Sequence, residues 1–198
     1  MNRRKEDMAA PTRGHVKVWD PVVRLFHWIV VMGVTLNYFV LETGEPTHRY
    51  LGYTVFGALV VRLVWGFVGS HYARFSQFVA SPTTVAGHLA RTLRLRSPRY
   101  LGHNPAGGAM MVVLMIMLAA LCITGWMQTL DAFWGVMWVQ DAHELCANLI
   151  VALACIHVIS AILESVVHRE NLILAMITGR KRTSKTSGQV NEASAGRR

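Results

Sequence analysis

Long apolar stretches alternate with shorter polar segments along this chain, and four of the stretches are long enough to cross a lipid bilayer. A membrane-spanning helix needs about 20 mostly apolar residues at a rise of roughly 1.5 Å per residue. The stretches of this kind are residues 22–41, 51–68, 106–127 and 142–167. The pattern predicts an all-α fold, an integral membrane bundle of four transmembrane helices.

The polar segments divide the rest of the chain. We predict a cytoplasmic N-terminal segment at residues 1–21, a four-helix domain at residues 22–167 that includes a cytoplasmic loop at residues 69–105, and a basic cytoplasmic tail at residues 168–198. The tail beyond Arg182 is rich in Ser, Gly and charge, which predicts disorder there. The first 20 residues lack an apolar core, so we expect no cleavable signal peptide.

The distribution of charge predicts the orientation of the bundle. The chain is 53% hydrophobic yet carries a formal net charge of +9, and most of its Lys and Arg residues lie in the two terminal segments and the loop at residues 69–105. Because cytoplasmic segments retain basic residues, both termini and this loop are predicted to be cytoplasmic. The opposite face contains Arg49 and five acidic residues, namely Glu42, Glu45, Asp131, Asp141 and Glu144.

The basic charge does not indicate a nucleic-acid-binding protein, because it lies in tails and one loop between apolar helices rather than across a folded surface. Within the loop, the stretch HLARTLRLRSPRYL places leucines between arginines. This pattern is compatible with an amphipathic segment in the headgroup region, but an ordinary basic loop that follows the positive-inside rule is the favoured interpretation.

Four histidines in the predicted helices are candidate metal ligands, because ionisable side chains inside a membrane are costly and usually functional. His143 and His157 are 14 residues apart, which puts them on one helix face and roughly 21 Å apart along the axis. His27 on the first helix matches the depth of His157, and His48 at the start of the second matches His143. A single membrane histidine can simply hydrogen-bond to a neighbouring helix. Four of them at two matched depths predict two b haems, each held by two imidazoles.

Other chemistry fits the histidines less well. Zinc would need further ligands, and no Cys, Asp or Glu cluster accompanies either pair. The three cysteines, Cys122, Cys146 and Cys155, lie within apolar stretches and form neither a CxxC pair nor a CxxCH haem-attachment motif.

Two arginines are candidate partners of haem propionates. Arg62 interrupts an apolar stretch 14 residues after His48, and Arg24 precedes His27 by about one turn. A snorkelling side chain at the membrane interface is an equally good interpretation of Arg24. Of the remaining histidines, His15 and His88 are predicted to be solvated, and His71 and His168 to lie at helix ends. His103 either precedes the third helix as a surface residue or belongs to a quinone pocket.

Several stretches together give the chain a family resemblance. They are VWDPVVRLFHW, HRYLGYTVFGALVVRLVWGFVGSHYARF, RYLGHNPAGG, ITGW, HELCANLIVALACIH and HRENLILAMITGRKR. From about residue 16 to residue 182 the chain resembles the bacterial cytochrome b561 family, which includes b-type cytochrome subunits of membrane hydrogenases. The resemblance implies a four-helix protein of the bacterial inner membrane with two b haems, and its ligand positions fall on His27, His48, His143 and His157.

The resemblance also implies partners, although members of the family serve different reactions. The leading interpretation is an electron carrier between the quinone pool and a redox protein, either a cytochrome c or a hydrogenase-like subunit, in contact with the lipid bilayer and with homo-oligomerisation left open. A superoxide:quinone oxidoreductase is the second interpretation, which the acidic outer face disfavours because superoxide is an anion. A haem-free ion transporter is the third, and it is disfavoured because the sequence shows no repeat.

Overall fold

Four long helices dominate the computed structural model, which describes residues 15–93, 100 and 102–182. They are α1 (Pro21–Phe39), α2 (Pro46–Val68), α4 (Pro105–Met127) and α5 (Met137–Val167). Each is long and apolar enough to cross a membrane. The prediction of a four-helix transmembrane protein is confirmed, and the observed helices begin up to five residues before the predicted ranges.

Proline begins three of these helices, where its missing N–H costs nothing. Two of the three also carry a side-chain N-cap. The Asp20 carboxylate accepts a 2.9 Å hydrogen bond from the Val23 amide, and Asn104 Oδ1 accepts one of 2.6 Å from the Gly107 amide. Both caps lie at the end of the bundle where α1 begins and α5 ends. We call this the terminal end, and we call the end with His48 and His143 the far end.

The four long helices do not all pack closely against one another. α1 packs against α2, α2 against α4, and α4 against α5. A core of buried apolar side chains joins α2, α4 and α5, and it consists of Val55, Leu59, Met115, Leu118 and Ile150. Among the described residues, α1 and α5 do not make this close contact, and neither do α2 and α5. The predicted histidine pairs lie between the helices of these two less closely packed pairs.

The segment between α2 and α4 folds onto the terminal end. It contains two short 3₁₀ turns, His71–Ala73 and Phe75–Gln77, and a helix α3 (Pro82–Leu93) that packs on α4. Phe75 approaches α2 closely because Gly66 has no side chain there; a Cβ on Gly66 would lie 2.1 Å from the Phe75 ring. Residues 94–99 lie outside the described part of the chain, so the question of an amphipathic segment there stays open.

The chain termini are tied together at the terminal end. A short strand β1 (His15–Lys17) pairs antiparallel with β2 (Arg180–Arg182), which follows helix α6 (Leu172–Thr178). A second buried cluster, the terminal cap, joins these segments to α1; it consists of Val18, Trp19, Val23, Ala73 and Ala175. The sequence analysis placed this part of the chain in polar terminal segments and did not predict the cap. The tail beyond Arg182, predicted to be disordered, lies outside the described residues.

Candidate haem sites

The histidine pair at the far end has the spacing that an iron between two imidazoles requires. The ring centres of His48 and His143 lie 6.4 Å apart, with the two rings tilted by 59°. An iron bound to one imidazole nitrogen on each side at about 2 Å would place the ring centres roughly 6 Å apart. The two side chains could therefore hold the iron of a haem between them.

The His143 ring is oriented by hydrogen bonds at one nitrogen only. Its Nδ1 lies 3.1 Å from the Leu121 carbonyl oxygen and 3.1 Å from Thr124 Oγ1, both on α4. Donation of the Nδ1 proton to the carbonyl selects the tautomer in which Nε2 has a free lone pair. Histidine ligands in metalloproteins are commonly held in this way.

Glycines make room around this pair. A Cβ on Gly125 would lie 2.9 Å from His143 Cε1, so α4 can approach the imidazole only because residue 125 has no side chain. Gly52, one turn after His48, has no atom within 4 Å of the position its Cβ would occupy. The open space beside Gly52 lies on the helix that carries His48, and a flat macrocycle needs such a space.

The second pair lies at the terminal end. His27 on α1 and His157 on α5 are close enough for their charges to interact, and Nδ1 of His27 is buried without a hydrogen-bond partner. The edge of the His27 ring meets the neighbouring Trp28 ring, with 5.1 Å between ring centres. The two side chains come from helices that also meet through a 2.6 Å hydrogen bond from the Tyr38 hydroxyl to Asn148 Oδ1, so His27 and His157 are candidates to hold a group between α1 and α5.

Arg62 is the most unusual charged residue in the bundle. Its side chain is 0% exposed, and its single hydrogen bond runs from Nη2 to the Ala73 carbonyl oxygen at 3.1 Å. Nε and Nη1 are buried without partners, while the guanidinium carbon lies 5.4 Å from the centre of the Phe75 ring and 5.9 Å from that of Phe78. Two unsatisfied donors on a buried cation indicate that an anion belongs beside it.

Arg24, the other predicted propionate partner, is occupied differently. Its Nε donates to the Met176 carbonyl oxygen at 3.2 Å, and its Nη2 donates to the carbonyl oxygen of Ile177. Both acceptors are in the last turn of α6, where a cation is favoured by the helix dipole and by the unpaired carbonyl groups. Arg24 therefore joins α1 to α6, and Arg62 is the better candidate for a propionate.

Asp20 lies at the centre of a hydrogen-bond network at the terminal end. Besides capping α1, its carboxylate accepts a 2.9 Å hydrogen bond from the Trp65 indole and another from the Ser70 hydroxyl. Burial by itself would raise the pKa of Asp20, but the hydrogen bonds from Ser70, Trp65 and backbone amides outweigh it and lower the pKa. Asp20 therefore stays ionised at neutral pH and supplies a negative charge that acts on Arg62.

His103 is packed between aromatic rings just before α4. Its ring centre lies 4.6 Å from that of Trp19 and 4.9 Å from that of Phe78, and its Nδ1 is buried without a partner. Burial first, and then the positive charges of Lys181, Arg62 and His157, lower the pKa of His103 to about 3. The imidazole is therefore neutral at pH 7. Trp19 and Phe78, missed by sequence reasoning, hold it in place.

The prediction that His88 is solvated is wrong. The side chain is 0% exposed on the face of α3 that packs against α4, with its ring edge against Tyr100. Its partner on the same helix is Thr92, whose Oγ1 lies 3.3 Å from His88 Nε2. His88 lies in a short polar segment, and the sequence of this segment contains no pattern that predicts its packing back onto the bundle. The side chain of His15 lies outside the described residues.

Comparison with known proteins identifies the family to which this four-helix bundle belongs. Residues 18–179 match the family model described as prokaryotic cytochrome b561. The chain belongs to the prokaryotic cytochrome b561 family. It is therefore a membrane b-type cytochrome that carries haem b and transfers electrons, and the interpretation as a haem-free transporter is not supported.

Similar proteins come from several bacteria and share the name "Probable Ni/Fe-hydrogenase B-type cytochrome subunit". The chain is 26% identical to the protein from Rhodobacter capsulatus over 85% of this chain and 82% of the relative. It is 29% identical to that from Azotobacter vinelandii and 30% identical to that from Azotobacter chroococcum, each over 83% of this chain and 87% of the relative. No solved structure matches the chain significantly.

Proposed function

We propose that this cytochrome carries two b haems and transfers electrons across the membrane between the quinone pool and a redox partner protein. The observation that carries the proposal is the placement of His143 and His157 on one helix, each beside a histidine from a different helix. The 14-residue separation puts the two sites roughly 21 Å apart along α5. This spacing leaves a gap between haem edges on the order of 10 Å across a bilayer of about 30 Å.

His48 with His143 would hold the far-end haem, and His27 with His157 the terminal-end haem. When bound, each haem supplies a one-electron redox centre. Thr124 and the Leu121 carbonyl orient the His143 ring. Arg62 would hold a propionate of the terminal-end haem with its unpartnered Nε and Nη1.

Quinone exchange is proposed at the terminal end, near His27 and His157. His103 and Arg62 gather there, and among the described residues Nδ1 of His103 is buried without a partner. Such an atom suits a quinone, whose carbonyl oxygens accept hydrogen bonds and whose reduction consumes protons. Arg24 contributes less than the sequence suggested, because its donors are bound to the carbonyl groups of α6.

The orientation follows from the positive-inside rule, which places both termini and the segment between α2 and α4 in the cytoplasm of a bacterium and the far end outside. The acidic residues Glu42, Glu45, Asp131 and Asp141 are exposed at the far end. A hydrogenase subunit is the partner that the names of the relatives favour. The alternative is a basic cytochrome c, which the acidic residues would attract.

An electron-transfer assay with the purified protein in lipid nanodiscs tests this function. A short-chain ubiquinol or menaquinol should reduce both haems, followed at their visible absorption bands, and an added hydrogenase or cytochrome c should exchange electrons with the far-end haem first. Failure of both quinols to react with a protein that dithionite reduces fully would remove the quinone pool from the proposal. Rapid oxidation of superoxide by the quinone-loaded protein would favour the superoxide:quinone oxidoreductase instead.

A further inference from the structure

Glu164 is a carboxylate held near the end of α5, two turns beyond His157 and therefore roughly 10 Å from it along the helix. Its Oε1 accepts a 3.1 Å hydrogen bond from Asn104 Nδ2, and its Oε2 lies 3.0 Å from His168 Nε2. The side chain is 17% exposed and that of His168 is 16% exposed. This acid is largely buried, yet it keeps contact with water at the terminal end.

A third ionisable residue approaches Glu164 from another helix. His88 on α3 is fully buried, with Nδ1 unpartnered and Nε2 next to Thr92. Burial lowers the pKa of His88, the negative charge of Glu164 raises it, and Arg91 lowers it again. The carboxylate thus interacts with two imidazoles, since it pairs with that of His168 and acts through its charge on that of His88.

Asn104 connects this cluster to the proposed quinone site. Its Oδ1 caps α4 through the Gly107 amide, so the side chain is held in place while its Nδ2 binds Glu164. The preceding residue is His103, whose Nδ1 is buried without a partner and which feels the charges of Lys181, Arg62 and His157. The side-chain amide of Asn104 does not titrate, so it cannot relay protons. Its part is to hold the Glu164 carboxylate beside His103, which lines the proposed quinone site.

The chemistry of quinone reduction requires such a group. Conversion of a quinone to its quinol takes two electrons, delivered singly from the reduced haem, and two protons that form the two O–H bonds. The reverse reaction returns both electrons and both protons. The protons must come from water, from which the apolar helices shield the site. A carboxylate paired with an imidazole and in contact with water can act as a general acid and base that exchanges protons with a buried site.

We propose that Glu164 is the proton-exchange group of the terminal-end quinone site, taking protons from water beside His168 and passing them towards His103. The proposal rests on the proposed function, since it assigns the proton supply of that quinone site. The competing role for Glu164 is purely structural, as a hydrogen-bonded link between α4 and α5 through Asn104.

The variant Glu164→Gln separates the two roles, because the amide oxygen can still accept from Asn104 while the side chain no longer binds a proton. Glu164→Asp restores the acid, and Glu144→Gln is a matched control on the exposed far end of the same helix. Each full-length protein is placed in lipid nanodiscs and checked for haem content. Haem reduction by a short-chain ubiquinol, and quinone reduction by the prereduced protein, are then timed between pH 5.5 and 8.5.

Loss of a general acid or base costs about 10²–10⁴-fold in rate. We expect Glu164→Gln to keep its haem, to slow both reactions at least tenfold at pH 7.5, and to lose the pH dependence of the parent. Glu164→Asp should regain most of the rate, added acetate should partly rescue Glu164→Gln, and dithionite reduction should be unchanged. If Glu164→Gln assembles poorly, His168→Gln carries the test through the same change of pH profile.

Unchanged quinol kinetics and an unchanged pH profile in Glu164→Gln would overturn the proposal while leaving the quinone site intact. A parent protein that reacts with no quinol would overturn the quinone site and this proposal together. If neither Glu164→Asp nor added acetate restores the reaction rate that Glu164→Gln loses, Glu164 has the structural role only.

Discussion

The Asp20 carboxylate accepts a 2.9 Å hydrogen bond from the indole of Trp65 and so joins the beginning of α1 to the end of α2. The same carboxylate binds the Val23 amide and the Ser70 hydroxyl. One short acid therefore caps a helix and satisfies two side-chain donors, one in the last turn of α2 and one in the segment that follows it.

Replacing Asp20 with Ala should destabilise the terminal end by about 1–3 kcal/mol, because it removes the N-cap and leaves the donors of Trp65 and Ser70 unpaired. Asp20→Asn should cost less, since an amide oxygen can still cap α1. The midpoint of thermal unfolding in detergent, followed by circular dichroism, measures both changes. Equal midpoints for the parent and Asp20→Ala would show that the network contributes nothing.

Replacing Arg62 with Gln should weaken the terminal-end haem selectively. A charge-assisted hydrogen bond to a propionate contributes about 1.5–3 kcal/mol, which corresponds to roughly ten- to hundredfold in haem affinity. Redox titration of the visible bands should show one haem component depleted or shifted and the other unchanged. Arg24→Gln is the control, and it should leave both haem components in place because Arg24 binds the carbonyl groups of α6. Two unaltered components in Arg62→Gln would remove Arg62 from the haem site.

The buried imidazole of His103 predicts a loss of stability in mild acid. Its pKa is lowered from 6.5 to about 3 by burial and by neighbouring positive charges. Between these two pH values His103 binds a proton in the unfolded chain but not in the folded protein. The free energy of unfolding therefore falls as the pH drops below 6.5. Thermal unfolding midpoints measured from pH 7.5 to pH 4 should decrease, and His103→Gln should show a shallower decrease. If the unfolding midpoint decreases equally with pH in the parent and in His103→Gln, the lowered pKa of His103 is contradicted.

The acidic far end predicts salt-sensitive exchange with a basic partner. Opposite charges speed the encounter of redox proteins, and salt screens the attraction with a Debye length of about 10 Å at 0.1 M. The rate with a basic cytochrome c should therefore fall as salt rises, and it should fall at low salt when the four carboxylates Glu42, Glu45, Asp131 and Asp141 are neutralised together. If neither added salt nor the neutralisation of the four carboxylates changes the rate, these acids only reflect the exclusion of Lys and Arg from the outer face.

Sequence reasoning succeeded where one physical requirement dominates. Bilayer thickness sets the length of an apolar helix, so the four spans could be read directly. His143 and His157 are 14 residues apart, and helix geometry alone puts residues at this spacing on one face. The structure brings His48 beside His143. Their ligation of iron stays a prediction.

Contacts made by polar segments could not be predicted in this way. The pairing of β1 with β2 involves three residues on each side and no distinctive pattern. The burial of His88 depends on how α3 folds back onto α4, and the binding of Arg24 to α6 depends on a helix of seven residues in a segment interpreted as a tail. These contacts are set by the tertiary arrangement, and local sequence carries little information about it.

The number of haems per chain tests the central claim most directly. A pyridine-haemochrome assay, with protein determined by quantitative amino-acid analysis, should give two haems b per chain for the parent and close to one for either His48→Ala or His157→Ala, because each variant loses one axial ligand. His143→Ala should resemble His48→Ala in the haem component that it loses. One haem in the parent, or both haems retained at full occupancy in His143→Ala, would contradict the account.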